Sequence, residues 1–173
     1  RFPDASSLAT EIQAWLDEHI PNPDKLALQA LTEDWVSQNP EEWRNALQQY
    51  HQAHPESDEA RAWYALSLLS QEPAGALGLI EDLHEGHKQG EIASDIRTLA
   101  ELLQTTPVGG ETFVQAFQKA QEAFRTHHIE QALEHLIETV MYNKGFAEEL
   151  PRRATVALFR LLGQTHPLSK QFQ

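Results

Sequence analysis

The chain has 173 residues with no cysteine, 13 Lys and Arg, 26 Asp and Glu, and a net charge of −13. That length corresponds to one domain on a prior of ~150 residues per domain, and the absent thiols exclude disulfides, thiolate metal sites and cysteine nucleophiles within these residues. The charge disfavours phosphate backbones and anionic lipid, and no apolar run nears the ~20 residues of a bilayer span, so neither nucleic acid nor membrane is an expected partner.

Residues 1–20 carry Leu8, Ile12, Trp15, Leu16 and His19 on one helical stripe, with Ser6 or Ser7 as the expected cap. Pro21 and Pro23 break the chain, and helices are expected near 24–38, 41–54, 58–71 and 73–85, separated by Asn39-Pro40, His54-Pro55 and Pro73. Pro40 and Pro151 fit first-turn positions, and Ser57 with Asp58 caps the fourth helix. Further helices are expected near 90–106, 111–126 and 128–142. The stripes Phe113, Phe117, Ala120, Phe124 and Ile129, Ala132, Leu133, Leu136, Ile137, Val140 make the last two explicit. A ninth helix covers about 149–162. Period-two clusters of β-branched residues are absent and the links are short, so the expected class is all-α with antiparallel neighbours.

Three segments resemble one another: Trp43 to Tyr50, Pro73 to Ile80, and Ile129 to Leu136. Each has an Ala-Leu pair followed three positions later by a bulky residue: Ala46, Leu47 and Tyr50; Ala76, Leu77 and Ile80; Ala132, Leu133 and Leu136. A small alanine lets a partner helix approach, and the bulky residue one turn on fills the space between pairs. Trp63 with Leu66, and Ala116 with Ala120, supply the facing positions. The pattern resembles the tetratricopeptide repeat in degenerate form, with short inter-helix turns and Ser67 or Ala120 where glycine is expected. The alternative is a generic helix bundle in which Ala-Leu pairs recur.

Residues 1–20 resemble the end of a thioredoxin domain, a terminal amphipathic helix closing on Leu16-Asp17. The stretch from Glu138 through Gly145-Phe146, Pro151-Arg152-Arg153 and Ala157 to Gly163, ending at His166-Pro167-Leu168, resembles the closing helix of bacterial thioredoxin–tetratricopeptide fusion co-chaperones, the chaperedoxins. The resemblance implies a truncated thioredoxin helix over 1–20 and a degenerate repeat domain over 21–173, in a cytoplasmic protein. The thioredoxin body and its Cys-x-x-Cys site are not in this sequence, so no catalytic or redox residue and no cofactor is carried over. The chain, opening on Arg1 and closing on Gln173, reads as a piece of a longer protein.

The implied partners are unfolded protein clients or a molecular chaperone, with the chain itself non-enzymatic. In repeats of this type the groove faces the first helix of each pair, which nominates Arg61, Tyr64 and Leu68, and Phe117, Gln121, Phe124 and Arg125. A carboxylate clamp for chaperone tails is not evident. Residues 1–90 carry 16 acidic and 5 basic side chains, and residues 91–173 carry 10 and 8. Against this background Arg152, Arg153 and Arg160 form the most distinctive polar patch, unless they only cover acidic neighbours such as Glu148 and Glu149.

Other candidates have plainer readings. Glu81, Asp82, His84, Glu85 and His87 could in principle share a metal, but Gly86 breaks the helical geometry; His127 and His128 point apart on a helix, although His135 lies two turns from His128. Glu41-Glu42, Asp58-Glu59 and Glu148-Glu149 fall at helix starts and complement the helix dipole. Gly109-Gly110 lacks the lysine of a phosphate loop and is a connector. Trp15, Trp35, Trp43 and Trp63 are expected in the core. Two rival functions stand beside the co-chaperone reading: a scaffold or self-association domain, and a small metal-binding helical protein.

Overall fold

The computed structural model describes residues 4–20 and 22–173; the first three residues of the segment expected to be a thioredoxin terminus, and Pro21, lie outside it. Among the described residues there are ten α-helices, one 3-10 turn and no strand: α1 Ala5–His19, α2 Pro23–Thr32, α3 Pro40–Ala53, α4 Asp58–Leu68, α5 Pro73–Leu79, α6 Gly90–Gln104, α7 Thr112–Arg125, α8 Ile129–Tyr142, α9 Leu150–Leu162 and α10 Pro167–Gln171. The all-α class is the observed one, and it is built as successive helical hairpins. From α2 to α6 each helix packs on the next, and α7 forms a tight hairpin with α8. α9 then packs on α8 and returns to lie along α6, closing the array, and α10 rests on α9.

Helix starts follow the expected chemistry with one exchange. Asn39 accepts the amides of Glu41 and Glu42 ahead of Pro40, and Ser57 accepts that of Ala60. At α1 the cap is Asp4 rather than Ser6 or Ser7. Its carboxylate accepts both the Ser7 amide and the Ser6 hydroxyl at 2.7 Å, and an ionised acceptor outcompetes a serine hydroxyl there.

Helix ends differ more. The expected helix over 24–38 stops at Thr32, and Trp35–Ser37 forms a separate 3-10 turn. Breaking there lets the Trp35 indole enter the core, where it is almost fully buried, and Asn39 must be extended before Pro40 in any case. The expected helix over 73–85 stops at Leu79. Gly75 and Gly78 weaken it, and Arg97 from α6 takes the carbonyls of Ile80 and Leu83 at 2.8 and 2.9 Å. The short α10 was not expected. His166 starts it by accepting the Leu168 amide, and the same imidazole donates through Nε2 to Asp34 at 2.9 Å.

The core runs continuously from α2 to α9. Leu47, Ala76, Ile80, Ala120, Ala132, Leu133 and Leu136 of the repeat pattern are fully buried, while Ala46, Leu77 and Tyr50 are half-buried. The Tyr50 hydroxyl donates to the Asp24 carbonyl at 2.7 Å, fixing α2 on α3. Phe146 wedges edge-on against Phe113 and Phe117 at 5.1 and 5.2 Å and anchors the link from α8 to α9. Ala147, Glu148 and Glu149 follow in the left-handed region, with φ of 51°, 56° and 59°. That conformation is costly for residues with a Cβ. Arg153 helps hold it, donating to the Glu148 carbonyl at 3.2 Å.

α1 stands apart, because none of its residues is buried. Leu8, Ile12 and Trp15 are 47%, 50% and 56% exposed, so the expected place of Trp15 in the core is corrected. Within the described residues its indole stacks only on His19, one turn along the same helix.

The α7–α8 hairpin owes its close approach to small residues, so Ala132→Leu is expected to overpack it. We expect a loss of roughly 1–3 kcal/mol in urea denaturation. An unchanged midpoint would show that the alanine is not needed for the contact.

Candidate functional site

The nominated groove residues divide sharply by role. Arg61 on α4 donates to both oxygens of Asp82 at 2.7 and 2.9 Å and to Asp58 at 2.8 Å. These contacts raise its already high pKa and hold the Asp82 carboxyl below its ordinary value. The guanidinium is thereby committed to clamping α4 to the segment after α5. Tyr64 is half-buried with its ring stacked on His51, and Leu68 is half-buried against the core.

On α7 the correction is plainer. Phe117 is fully buried and Gln121 nearly so, because both sit on the face that α7 turns toward the core. Gln121 Nε2 donates to the carbonyls of Leu102 and Thr105 at 2.7 Å, and Arg125 donates to Leu103 at 3.0 Å. Both side chains satisfy the open carbonyls at the end of α6, so Phe117 and Gln121 are not groove residues. Phe124 is also buried, although its edge reaches a cavity.

That cavity, of about 280 Å³, lies between α3, α4 and the α7–α8 turn. Trp35, Trp43, Leu66 and Phe124 wall it, and Arg44 and Arg125 stand among its polar lining. Trp35 and Trp43 stack at 5.4 Å, and His127 sits at 5.7 and 5.8 Å from the two indoles. His127 adopts φ 63° at the turn and its Nε2 bonds to the Trp35 carbonyl at 3.1 Å. Since a carbonyl only accepts, that nitrogen carries the proton. Burial lowers the His127 pKa, so near neutral pH the imidazole is an uncharged wall of the cavity.

The three arginines of α9 do not form one patch. Arg153 donates to both oxygens of Glu101 on α6 at 3.0 and 3.1 Å, which lowers the Glu101 pKa. Arg160 reaches Glu91 and Asp95 on α6, each at 3.5 Å. Arg152 alone is exposed with no ion pair among the described residues. Two of the three therefore fasten α9 to α6, because positions seven apart share a helix face.

A second cavity, of about 510 Å³, opens between α4, α6 and α9. Its walls are Trp63, Ile92, Val156 and Phe159, with Glu91, Asp95 and Arg160 among its polar lining. The Asp95 side chain is only 5% exposed, and no hydrogen bond from the described residues ends on its carboxylate. Removal from water, reinforced by Glu91 and opposed by Arg160, pushes its pKa up to about 6. The sequence does contain a signal for this residue: Asp95 interrupts the apolar stripe of Ala93, Ile96, Leu99 and Ala100, which are all buried.

The histidine candidates resolve into separate local contacts. His87 faces Asp58 at 3.3 Å, His135 faces Glu138 at 3.2 Å, and His84 is exposed. Among the described residues no three His, Asp or Glu side chains come together as metal ligands would. No helix there is long and apolar enough to cross a membrane.

A tetratricopeptide repeat family model matches residues 89–173, from the start of α6 to the end of the chain. The match covers just under half of the sequence and supports a tetratricopeptide-like helical domain. No curated protein and no solved structure matches the chain.

A carboxylate whose folded pKa lies above its unfolded value of 3.8 carries a penalty that is full above about pH 6 and is relieved as pH falls toward 3.8. Asp95→Asn is therefore expected to stabilise the protein at pH 7.5 by roughly 1–3 kcal/mol, with the advantage shrinking below pH 6. Urea denaturation of both proteins across that range checks it. An advantage independent of pH would show that Asp95 does not titrate in this window.

Proposed function

We propose that this chain is the protein-contact part of a bacterial thioredoxin–tetratricopeptide co-chaperone, holding unfolded clients or docking on a chaperone. Tetratricopeptide repeats generally mediate protein–protein contacts, and the matched family and the hairpin array support that class of role here. The observation that carries the finer reading is α1. Its apolar stripe of Leu8, Ile12 and Trp15 has no cover among the described residues, which fits a helix that completes another domain. In this reading the chain is cytoplasmic, has no catalytic residue or cofactor, and leaves any redox chemistry to the thioredoxin part. Of the nominated contact residues, Arg125, Arg152 and Arg160 are exposed, and Arg61, Tyr64, Leu68 and Arg153 are half-buried with some surface left for a partner.

The same stripe favours a second reading, self-association through α1, in which two copies cover one another's apolar face. A single set of experiments separates them. The co-chaperone reading expects a monomer in sedimentation that suppresses aggregation of a heat-unfolded model client in a saturable way, and no insulin reduction. It also expects a thioredoxin-like segment encoded directly upstream of Arg1. A stable dimer that Trp15→Ser dissociates, with no effect on client aggregation, would overturn it in favour of self-association.

A further inference from the structure

We propose that the cavity between α4, α6 and α9 receives a lysine side chain from a bound polypeptide, with the ammonium against Asp95 and the methylene stem along the apolar walls. The inference rests on the protein-contact reading above and names what one part of that surface selects.

Three features of the cavity lead to this occupant. The first is an unmet charge. Two carboxylates, Glu91 and Asp95, face a single guanidinium, so the polar part of the cavity has a net charge of −1. Arg160 divides itself between them at 3.5 Å each, longer than the ~2.7–2.9 Å of a strong charge-assisted bond. Asp95, almost wholly withdrawn from water, accepts no hydrogen bond from the described residues. A buried carboxylate in that state gains from a donor that brings positive charge.

The second feature is the wall. Trp63, Ile92, Val156 and Phe159 form an apolar lining beside the acidic groups, the environment that a lysine stem covers while its head reaches a charge. A compact ammonium fits beside the resident guanidinium, whereas a second planar fork would compete with Arg160 for the same carboxylate edges. The third feature is size. At about 510 Å³ the cavity is within the ~300–1000 Å³ range of ligand sites and open enough for a side chain to enter from a strand or helix lying across it.

The groups facing Asp95 are Glu91 on its own helix and Arg160 on α9; from α4 the cavity receives the uncharged Trp63. Protonating Asp95 removes the charge that the ammonium needs. Affinity for lysine is therefore full above about pH 6 and declines as pH falls through it.

The test uses two blocked hexapeptides, identical except that a central lysine flanked by Phe and Leu is replaced by norleucine, which keeps the four-carbon stem and lacks the ammonium. Calorimetry gives affinity, and the indole N–H resonance of Trp63 reports occupancy of this cavity. The lysine peptide is expected to bind at least tenfold more tightly than the norleucine peptide at pH 7.5. Asp95→Asn should abolish that preference, and lowering the pH to 5 should weaken the lysine peptide alone. Equal binding of the two peptides, binding of neither, or a preference that survives Asp95→Asn would overturn the proposal. Suppression of client aggregation, measured on the same samples, keeps the two readings distinct. If suppression persists without lysine selectivity, only the cavity assignment falls. If lysine selectivity holds without suppression, the cavity assignment stands and the co-chaperone reading falls.

Discussion

Every helix leaves its last carbonyls without partners, and in this protein side chains from other helices supply many of the missing donors. Trp43 and Gln38 both donate to Leu31 at the end of α2, at 2.8 and 3.0 Å. Arg97 takes Ile80 and Leu83 after α5, Gln121 and Arg125 take Leu102, Leu103 and Thr105 at the end of α6, and Trp35 takes Leu161 at the end of α9. Packing of Ala and Leu faces alone would tolerate sliding of one helix along its neighbour. A buried carbonyl bonded to a donor on another helix does not, because a shift of one residue leaves it unpaired at a cost of ~1–3 kcal/mol. The placement of α3, α6 and α7 on the helices before them, and the return of α9 to the 3-10 turn, depend on these bonds.

The same economy takes up three of the nominated contact arginines. Arg61, Arg153 and Arg160 are all engaged with carboxylates of neighbouring segments, although such pairs contribute little stability when exposed. Among the described residues two places stand out against this internal satisfaction. One is the apolar stripe of α1, and the other is the acidic cavity around Asp95, where the buried carboxylate shares one distant guanidinium. A protein that binds others is expected to leave its unmet demands where the partner meets them, and these two sites are different in kind: one is apolar and the other is charged.

The sequence made the hairpins legible where periodicity was strong. Phe117, Ala120 and Phe124 against Ile129, Ala132, Leu133 and Leu136 could be read directly from spacings of three and four, and all of them are buried. What could not be read was which polar side chain reaches across to cap a distant helix. Gln121 looks like a groove residue on α7 until its bonds 16 and 19 residues back along the chain are seen. The arginines of α9 likewise looked like a patch because their partners, Glu101, Glu91 and Asp95, lie more than fifty residues away. Trp15 departs from its expected place in the core, whereas Trp35 is in the core as expected but in a 3-10 turn outside the expected helix. One lies on a helix with no neighbour to bury it, and the other leaves its expected helix in order to be buried.

Gln121→Met tests the cross-helix bonds most directly, since it keeps the length and most of the volume of the side chain while removing both donations to α6. Urea denaturation, monitored by circular dichroism and by hydrogen exchange along α6, is expected to show a loss of roughly 1–3 kcal/mol with faster exchange at the end of that helix. A Met variant with the wild-type midpoint and unchanged exchange there would contradict the claim that these bonds set the helix array.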